Sequence, residues 1–297
     1  MAFFDDIKYQ WQHGTAAMKL IIVNVAIYLA QSLGLLVAYG FHQKEAYLDF
    51  LVNWFWANSN ISTLATRPWT LVSYMFMHDP QNIFHIVSNM IYLFFFGRIF
   101  SDITNQKLAY PLYFAGGFAG FFLALISFYL FPGYQENIGG YFVGASAAIM
   151  AIVIATTTLM PNYTVFLYFL GPVKLKYIAA FVVIVDVISI PGESNIGGHI
   201  AHLGGALFGY LYIRSYRKSG NWFSWWPHFE SRVWQIFHRN KLRVAYNYQR
   251  QDTDDRRAKE IEDQKKLDAI LDKIKASGYE SLSRQEKDFL FRMSKEK

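Results

Sequence analysis

Six blocks of mostly apolar residues, at about 18–40, 83–100, 108–131, 144–160, 173–190 and 197–214, constrain this 297-residue chain more than any other feature. Apolar stretches of roughly 18 residues or more match the hydrocarbon thickness of a bilayer and read as membrane helices. The expected fold is therefore all-α: a polytopic membrane protein with a six-transmembrane-helix bundle and a small cytoplasmic helical tail. Residues 1–17 are expected to be a cytoplasmic or interfacial N-terminus. Residues 18–215 are expected to be the six-span domain. Residues 216–297 are expected to be a Trp-rich juxtamembrane segment and a helical hairpin. Asp5, Asp6 and Lys8 precede the first block, which is also too long for a signal-peptide core, so no cleavable signal peptide is expected. The soluble alternative is one large bundle of buried helices.

Charge placement orients the spans, because Lys and Arg concentrate in cytoplasmic loops. Lys8 and Lys19 flank the first block, Arg98 and Lys107 follow the second, and Lys174 and Lys176 precede the fifth. The long loop 41–82 has only Lys44 and Arg67, and the loops 132–143 and 191–196 have no basic residue, only Glu136 and Glu193. From Arg214 onward there are 20 basic and 13 acidic residues, so the net charge of +6 belongs to the tail. This pattern alternates and puts both termini on the cytoplasmic side. A basic tail fits a flank beside anionic lipid. Interleaved acids argue against nucleic acid as a partner. The absence of cysteine excludes disulfides, thiol nucleophiles and zinc-thiolate sites.

With that orientation, spans two, four and six all begin at the outer face. His85, Ser146 and His202 lie a few residues inside those starts, so at 1.5 Å rise per residue their depths agree to within about two turns. An ionisable side chain in lipid is costly and marks function. A serine hydroxyl needs a base to become a nucleophile, and a neutral imidazole suits that task. Ser146 and His202 are thus the expected catalytic pair. No acidic residue reads as a third member, so a Ser–His dyad is the simpler arrangement. His85 and Asn89 are four apart, on one helix face, and are expected to donate to a developing oxyanion; the plainer reading is a polar patch between helices. Small residues permit close helix approach. Gly140, Gly144 and Ala148 around Ser146, and Gly205 and Gly209 after His202, read as packing faces joining spans four and six. His199 lies one turn before His202, yet no HExxH or carboxylate pair accompanies it, so no metal and no other cofactor is expected. His78 reads as fixing a loop by hydrogen bonding. Asp186, near the outer end of span five, reads as solvated or capping, with a role near the site as the lesser alternative.

All eight tryptophans lie outside the spans, as interfacial residues do. Residues 45–60 and 222–234 are expected at the outer and inner interfaces. In the tail, Ile261, Leu267, Ile270, Leu271 and Ile274 form a helical stripe. Ser277-Gly278 reads as a stop and Ser283 to Glu286 as a capping box.

Met77-His78, His85-Ile86-Val87-Ser88-Asn89-Met90, Gly144-Ala145-Ser146-Ala147 and Ala201-His202-Leu203-Gly204-Gly205 with Gly209, taken together, resemble the rhomboid family of intramembrane serine proteases over about residues 65–214. The resemblance implies a six-span rhomboid-like bundle with Ser146 as nucleophile, His202 as general base and His85 and Asn89 as oxyanion donors. It implies endopeptidase action on transmembrane helices of other proteins near the outer face. The tail resembles those of some bacterial members, implying a bacterial inner (cell) membrane. Two positions depart from the family: Ala147 stands where Gly is common, which is expected to open the packing of spans four and six, and Thr70 follows Trp69 where Arg is common. The rival reading is a catalytically silent rhomboid-like protein that binds membrane clients. A transporter would want repeated broken helices, which the sequence lacks.

Overall fold

A computed structural model describes residues 2–168, 171–192, 195–226, 229, 231–232 and 245–295. The chain divides into two units, Met1–Pro227 and His228–Lys297. The first contains helices α1 (Ala2–His13), α2 (Ala16–Gly40), α3 (Lys44–Phe55), α4 (Ile61–Thr66), α5 (Thr70–Ser73), α6 (Ile83–Ile103), α7 (Ala109–Leu130), α8 (Ser146–Leu159), α9 (Leu175–Ser189) and α10 (Ile196–Ser219). The six apolar blocks correspond to α2 and α6 to α10. Four of these, α2, α6, α7 and α9 with the turn that follows it, are long and apolar enough to cross a membrane. The other two differ for physical reasons. Helix α8 is apolar but has only 14 residues. Helix α10 has 24 residues but carries His199 and His202 near its start and Arg214, Arg217 and Lys218 near its end.

The outward faces of this unit are apolar. Leu29, Leu33 and Leu36 of α2 and Phe181, Ile184 and Ile188 of α9 are all more than half exposed. Apolar faces on this scale need an apolar surrounding rather than water. Helix α8 is the opposite case. Ala147, Ala148, Ile149, Ala151, Ile152, Val153 and Ala155 are buried all round it, because α6, α7, α9 and α10 pack against it. Its 14 residues rise about 21 Å, short of the ~30 Å hydrocarbon layer. Non-helical chain leads into it at Ser146.

Glycine sets how closely α8 is approached. A methyl group on Gly205 of α10 would strike the Ala147 carbonyl, and one on Gly209 would strike the Ala151 carbonyl. The expected closeness of spans four and six is present. Helix α7 joins that contact, which the sequence pattern does not announce. Gly116 faces the Ala151 methyl and Gly120 faces both the Ala147 methyl and the Ala201 carbonyl. The Ala147 methyl thus faces Gly120 of α7.

Among the described residues, four short strands accompany the helices. Strand β1 (Ala57–Asn58) pairs antiparallel with β2 (Tyr141–Phe142), with Ala57 opposite Phe142. Ser59 N–H extends this pairing by donating to the Gly140 carbonyl at 2.9 Å. The long loop after α2 is thereby fastened to the chain entering α8. Strands β3 (Thr164–Leu167) and β4 (Gly171–Lys174) form a second antiparallel pair. In the long loop, Trp69 stacks on Trp54 with ring centroids 6.0 Å apart, and the Arg67 guanidinium lies 4.9 Å over Trp54. Trp222 packs its ring edge-on to Tyr212 of α10 at 5.8 Å. Trp234 and Glu193 lie outside the described residues.

The second unit contains α11 (Ala245–Ser277) and α12 (Arg284–Lys295). Gly278 follows α11 with φ of 76°, a left-handed stop that glycine adopts freely. The capping box is formed: Glu286 N–H donates to Ser283 Oγ at 3.3 Å, and Ser283 N–H donates to Glu286 Oε2 at 2.7 Å. Ile270 is buried, whereas Ile261 and Leu271 of the expected stripe are exposed. The hydrogen bond from the Ser283 N–H, then the Lys273 ammonium at 2.9 Å, pull the Glu286 carboxyl from its ordinary 4.5 down to about 2. A depressed carboxyl stabilises the fold above its unfolded value and loses that contribution as pH falls through the folded one. Amide-exchange protection at residues 284–287 is therefore expected to be constant above about pH 4.5 and to fall toward pH 2. In Glu286→Gln that acid transition is expected to vanish from the exchange profile.

Candidate active site

The segment before α8 is held from beneath by buried hydrogen bonds. Gly144 N–H donates to the Tyr74 carbonyl at 3.0 Å. The Tyr74 hydroxyl donates to the Gly117 carbonyl at 2.7 Å, and the Tyr113 hydroxyl to the Met75 carbonyl at 2.6 Å. Gln31 of α2 donates from Nε2 to the His78 carbonyl at 3.0 Å. His78 thus fixes its loop through its backbone. Its ring is buried and packs edge-on to His85, with centroids 5.1 Å apart.

Gly144 has φ of +118°, where a side chain is strained, and a methyl there would lie 2.6 Å from His85 Nε2. The expectation that Gly144 belongs to a helix-packing stripe is corrected. It lies in a bend outside α8, as Gly140 lies outside it too, and its lack of a side chain makes room for His85. Gly205 and Gly209 do pack helices, as described above.

Ser146 opens α8, where the first backbone N–H groups lack intrahelical partners and the helix dipole is positive. No side chain caps that end. His202, in the second turn of α10, places Nε2 2.7 Å from Ser146 Oγ. His85 Nδ1 accepts from the Asp79 backbone N–H at 3.4 Å. A neutral imidazole has one N–H, so its proton lies on Nε2, the atom that faces Gly144. Asn89 donates from Nδ2 to the His85 carbonyl at 2.8 Å, which uses one amide hydrogen and leaves the other. Ser146, His202, His85 and Asn89 line one cavity of about 490 Å³. The structure therefore brings together all four residues singled out by sequence.

It also adds two. Asp186 of α9 is buried, and its Oδ1 lies 2.8 Å from Nδ1 of both His202 and His199. The favoured sequence reading, with no acid beside the histidine and Asp186 solvated or capping, is corrected: the lesser alternative, Asp186 near the site, is what the structure has. Helical period places His199 and His202 on one face, but no periodicity reports which residue of α9 meets them. Asp186, His199 and His202 each offer a metal-ligand atom, all within 4.8 Å of one another. Each histidine Nδ1 is engaged in a hydrogen bond with Asp186 Oδ1.

Chemically, the arrangement presents a hydroxyl beside an imidazole nitrogen, with N–H donors at a helix start and on a neighbouring ring, in a cavity partly walled by apolar side chains. That is the set of groups acyl transfer requires.

Comparison with known proteins bears on the family. The Rhomboid domain model matches residues 65–219, and a Family of unknown function (DUF6576) matches residues 251–296. The Arabidopsis thaliana "RHOMBOID-like protein 12, mitochondrial" is 36% identical over 147 residues, covering 46% of this chain and 43% of that protein. The Danio rerio "Presenilin-associated rhomboid-like protein A, mitochondrial" is 29% identical over 166 residues, covering 55% and 41%. The matches thus span less than half the length of these curated relatives. The domain match covers more than half of the present chain, from α4 to the end of α10, and includes Ser146, His202, His85, Asn89, Asp186 and His199. The chain belongs to the rhomboid family of multi-pass membrane proteins.

Proposed function

We propose that the protein is an intramembrane serine endopeptidase that hydrolyses peptide bonds in or near transmembrane segments of other membrane proteins. The observation that carries this reading is the 2.7 Å separation of Ser146 Oγ and His202 Nε2 inside a cavity that His85 and Asn89 also line. In this reading residues 18–215 are the protease domain, both termini face the cytoplasm, and residues 216–297 are accessory. The bacterial cell-membrane location rests on the tail's resemblance, while the relatives above are named mitochondrial.

A substrate helix enters laterally and unwinds locally, since intact helical hydrogen bonds shield its carbonyls. Gly or Pro near the cut eases unwinding. Ser146 Oγ attacks the carbonyl carbon while His202 Nε2 takes its proton. The oxyanion is held by His85 Nε2–H, the remaining Asn89 amide hydrogen and backbone N–H groups at the start of α8. His202 then protonates the leaving amine, and water hydrolyses the acyl-enzyme by the same route in reverse roles.

The test is cleavage of a reporter transmembrane helix in proteoliposomes. Wild type is expected to cut it and Ser146→Ala to leave it intact. His85→Ala and Asn89→Ala are each expected to lower kcat by about 10²-fold, the scale of losing one oxyanion donor. Cleavage by Ser146→Ala at the wild-type rate would overturn the reading. Fully folded wild type that binds such helices and cuts none would favour the client-binding alternative.

A further inference from the structure

Asp186 is a carboxylate with a side chain only 6% exposed, on a helix whose outward face is apolar. Burying a charge is costly unless it is paired and hydrogen-bonded. One oxygen, Oδ1, is fully engaged by the two histidines at 2.8 Å each, while Oδ2 is buried without a hydrogen-bond partner among the described residues. An acid retained merely to join α9 to α10 would do so at lower cost as an amide or an apolar residue. The protein instead keeps a carboxylate whose charge is directed at one point, the Nδ1 edges of His199 and His202.

We infer that Asp186 is a positioning residue of the proposed serine protease site: it holds His202 in the tautomer and orientation that aim the Nε2 lone pair at Ser146, with His199 as the second donor that fixes the carboxylate. The inference rests on the protease reading for its purpose but on hydrogen-bond chemistry for its content. A carboxylate oxygen only accepts, so Nδ1 of His202 must carry the proton. The neutral ring then has its lone pair on Nε2, the atom 2.7 Å from Ser146 Oγ. Without the carboxylate either tautomer is available, and the one protonated at Nε2 cannot accept the serine proton. When His202 becomes an imidazolium during attack, the buried carboxylate lies one hydrogen bond from the new charge and stabilises it. His199 precedes His202 by three residues on α10, so its Nδ1 approaches from the same side. Held by two donors from one helix, the carboxylate has a single position. The acid, recruited from a different helix, makes the pair a three-residue relay of orientation with no proton passing to Asp186.

The experiment uses the full-length protein in proteoliposomes, comparing wild type, Ser146→Ala, Asp186→Asn and Asp186→Glu. The first readout is the Nδ1–H proton resonance of His202 in histidine-labelled protein. A downfield Nδ1–H signal is expected in wild type and in Ser146→Ala, and its loss is expected in Asp186→Asn. The second readout is steady-state cleavage of the reporter helix. Asp186→Asn is expected to lower kcat by about 10²-fold, within the range of general-base contributions, with KM changed by less than about twofold. Asp186→Glu, which restores the charge, is expected to recover part of that rate. Absence of the downfield signal in wild type, or its persistence in Asp186→Asn, would overturn the inference without requiring any variant to cleave. A rise in KM or a lower melting temperature with kcat unchanged would also overturn it, by assigning Asp186 to substrate binding or to structure. If no form cleaves yet the signal is present in Ser146→Ala and lost in Asp186→Asn, the positioning stands and the protease reading fails.

Discussion

Ser146→Ala and His202→Ala are each expected to lower reporter cleavage by about 10⁴-fold or more, and the double variant is expected to lose no more than either alone. The reason is that the two groups act as one unit. Oγ is a weak nucleophile until Nε2 takes its proton, and Nε2 has nothing to deprotonate once Oγ is gone. Groups that act jointly give grossly non-additive losses. Two polar side chains that merely hydrogen-bonded across α8 and α10 would behave differently. Their removal would change cleavage through packing, by similar small amounts. The 2.7 Å separation fits both cases, so the size of the loss and its non-additivity decide between them. Steady-state kinetics of the four forms in one lipid composition measures both.

Gly205→Leu is expected to destabilise the helical bundle by about 3 kcal/mol, the upper range for forcing bulk into a packed interior. Even a methyl group there meets the Ala147 carbonyl, which is backbone and cannot rotate away. Helices α8 and α10 would have to separate, and with them Ser146 and His202. The control is Gly205→Ala. In an unconstrained helix that change gains about 1 kcal/mol from propensity. A loss of stability instead isolates the contact with Ala147. Thermal unfolding in detergent, followed by helicity, reads both variants. Wild-type melting in Gly205→Leu would mean that α8 and α10 do not approach at this point.

Both effects involve residues that are legible in the amino-acid sequence alone. Periodic small residues and intramembrane histidines are strong signals because hydrocarbon tolerates few reasons for either. The facing of α8 and α10 through Gly205 and Gly209, and the meeting of Ser146 with His202, follow from that. Pairing between elements that share no period leaves no such signal. Asp186 is one of several polar residues near a helix end, and only the rotation of α9 decides whether it meets lipid headgroups or His202. Gly144 sits four residues from both Gly140 and Ala148, a spacing that mimics a helical stripe. The chain bends there, outside any helix, with Gly144 at φ of +118°, so the period carries no meaning. Gly116 and Gly120 of α7 lie within a long, strongly apolar block whose composition hides which face packs inward. The β1–β2 pairing is only two residues long in each strand, too short to leave a pattern.

If Ser146 is an activated nucleophile, a fluorophosphonate probe will find it without knowledge of any natural substrate. Folded full-length protein in detergent is treated with the probe and the modified residue is identified by peptide mass. One label per chain is expected, on Ser146, abolished in Ser146→Ala and His202→Ala while melting temperature holds. Labelling that persists in Ser146→Ala, or wild-type protein that stays unlabelled with its helical bundle intact, would rule out an activated serine at this position.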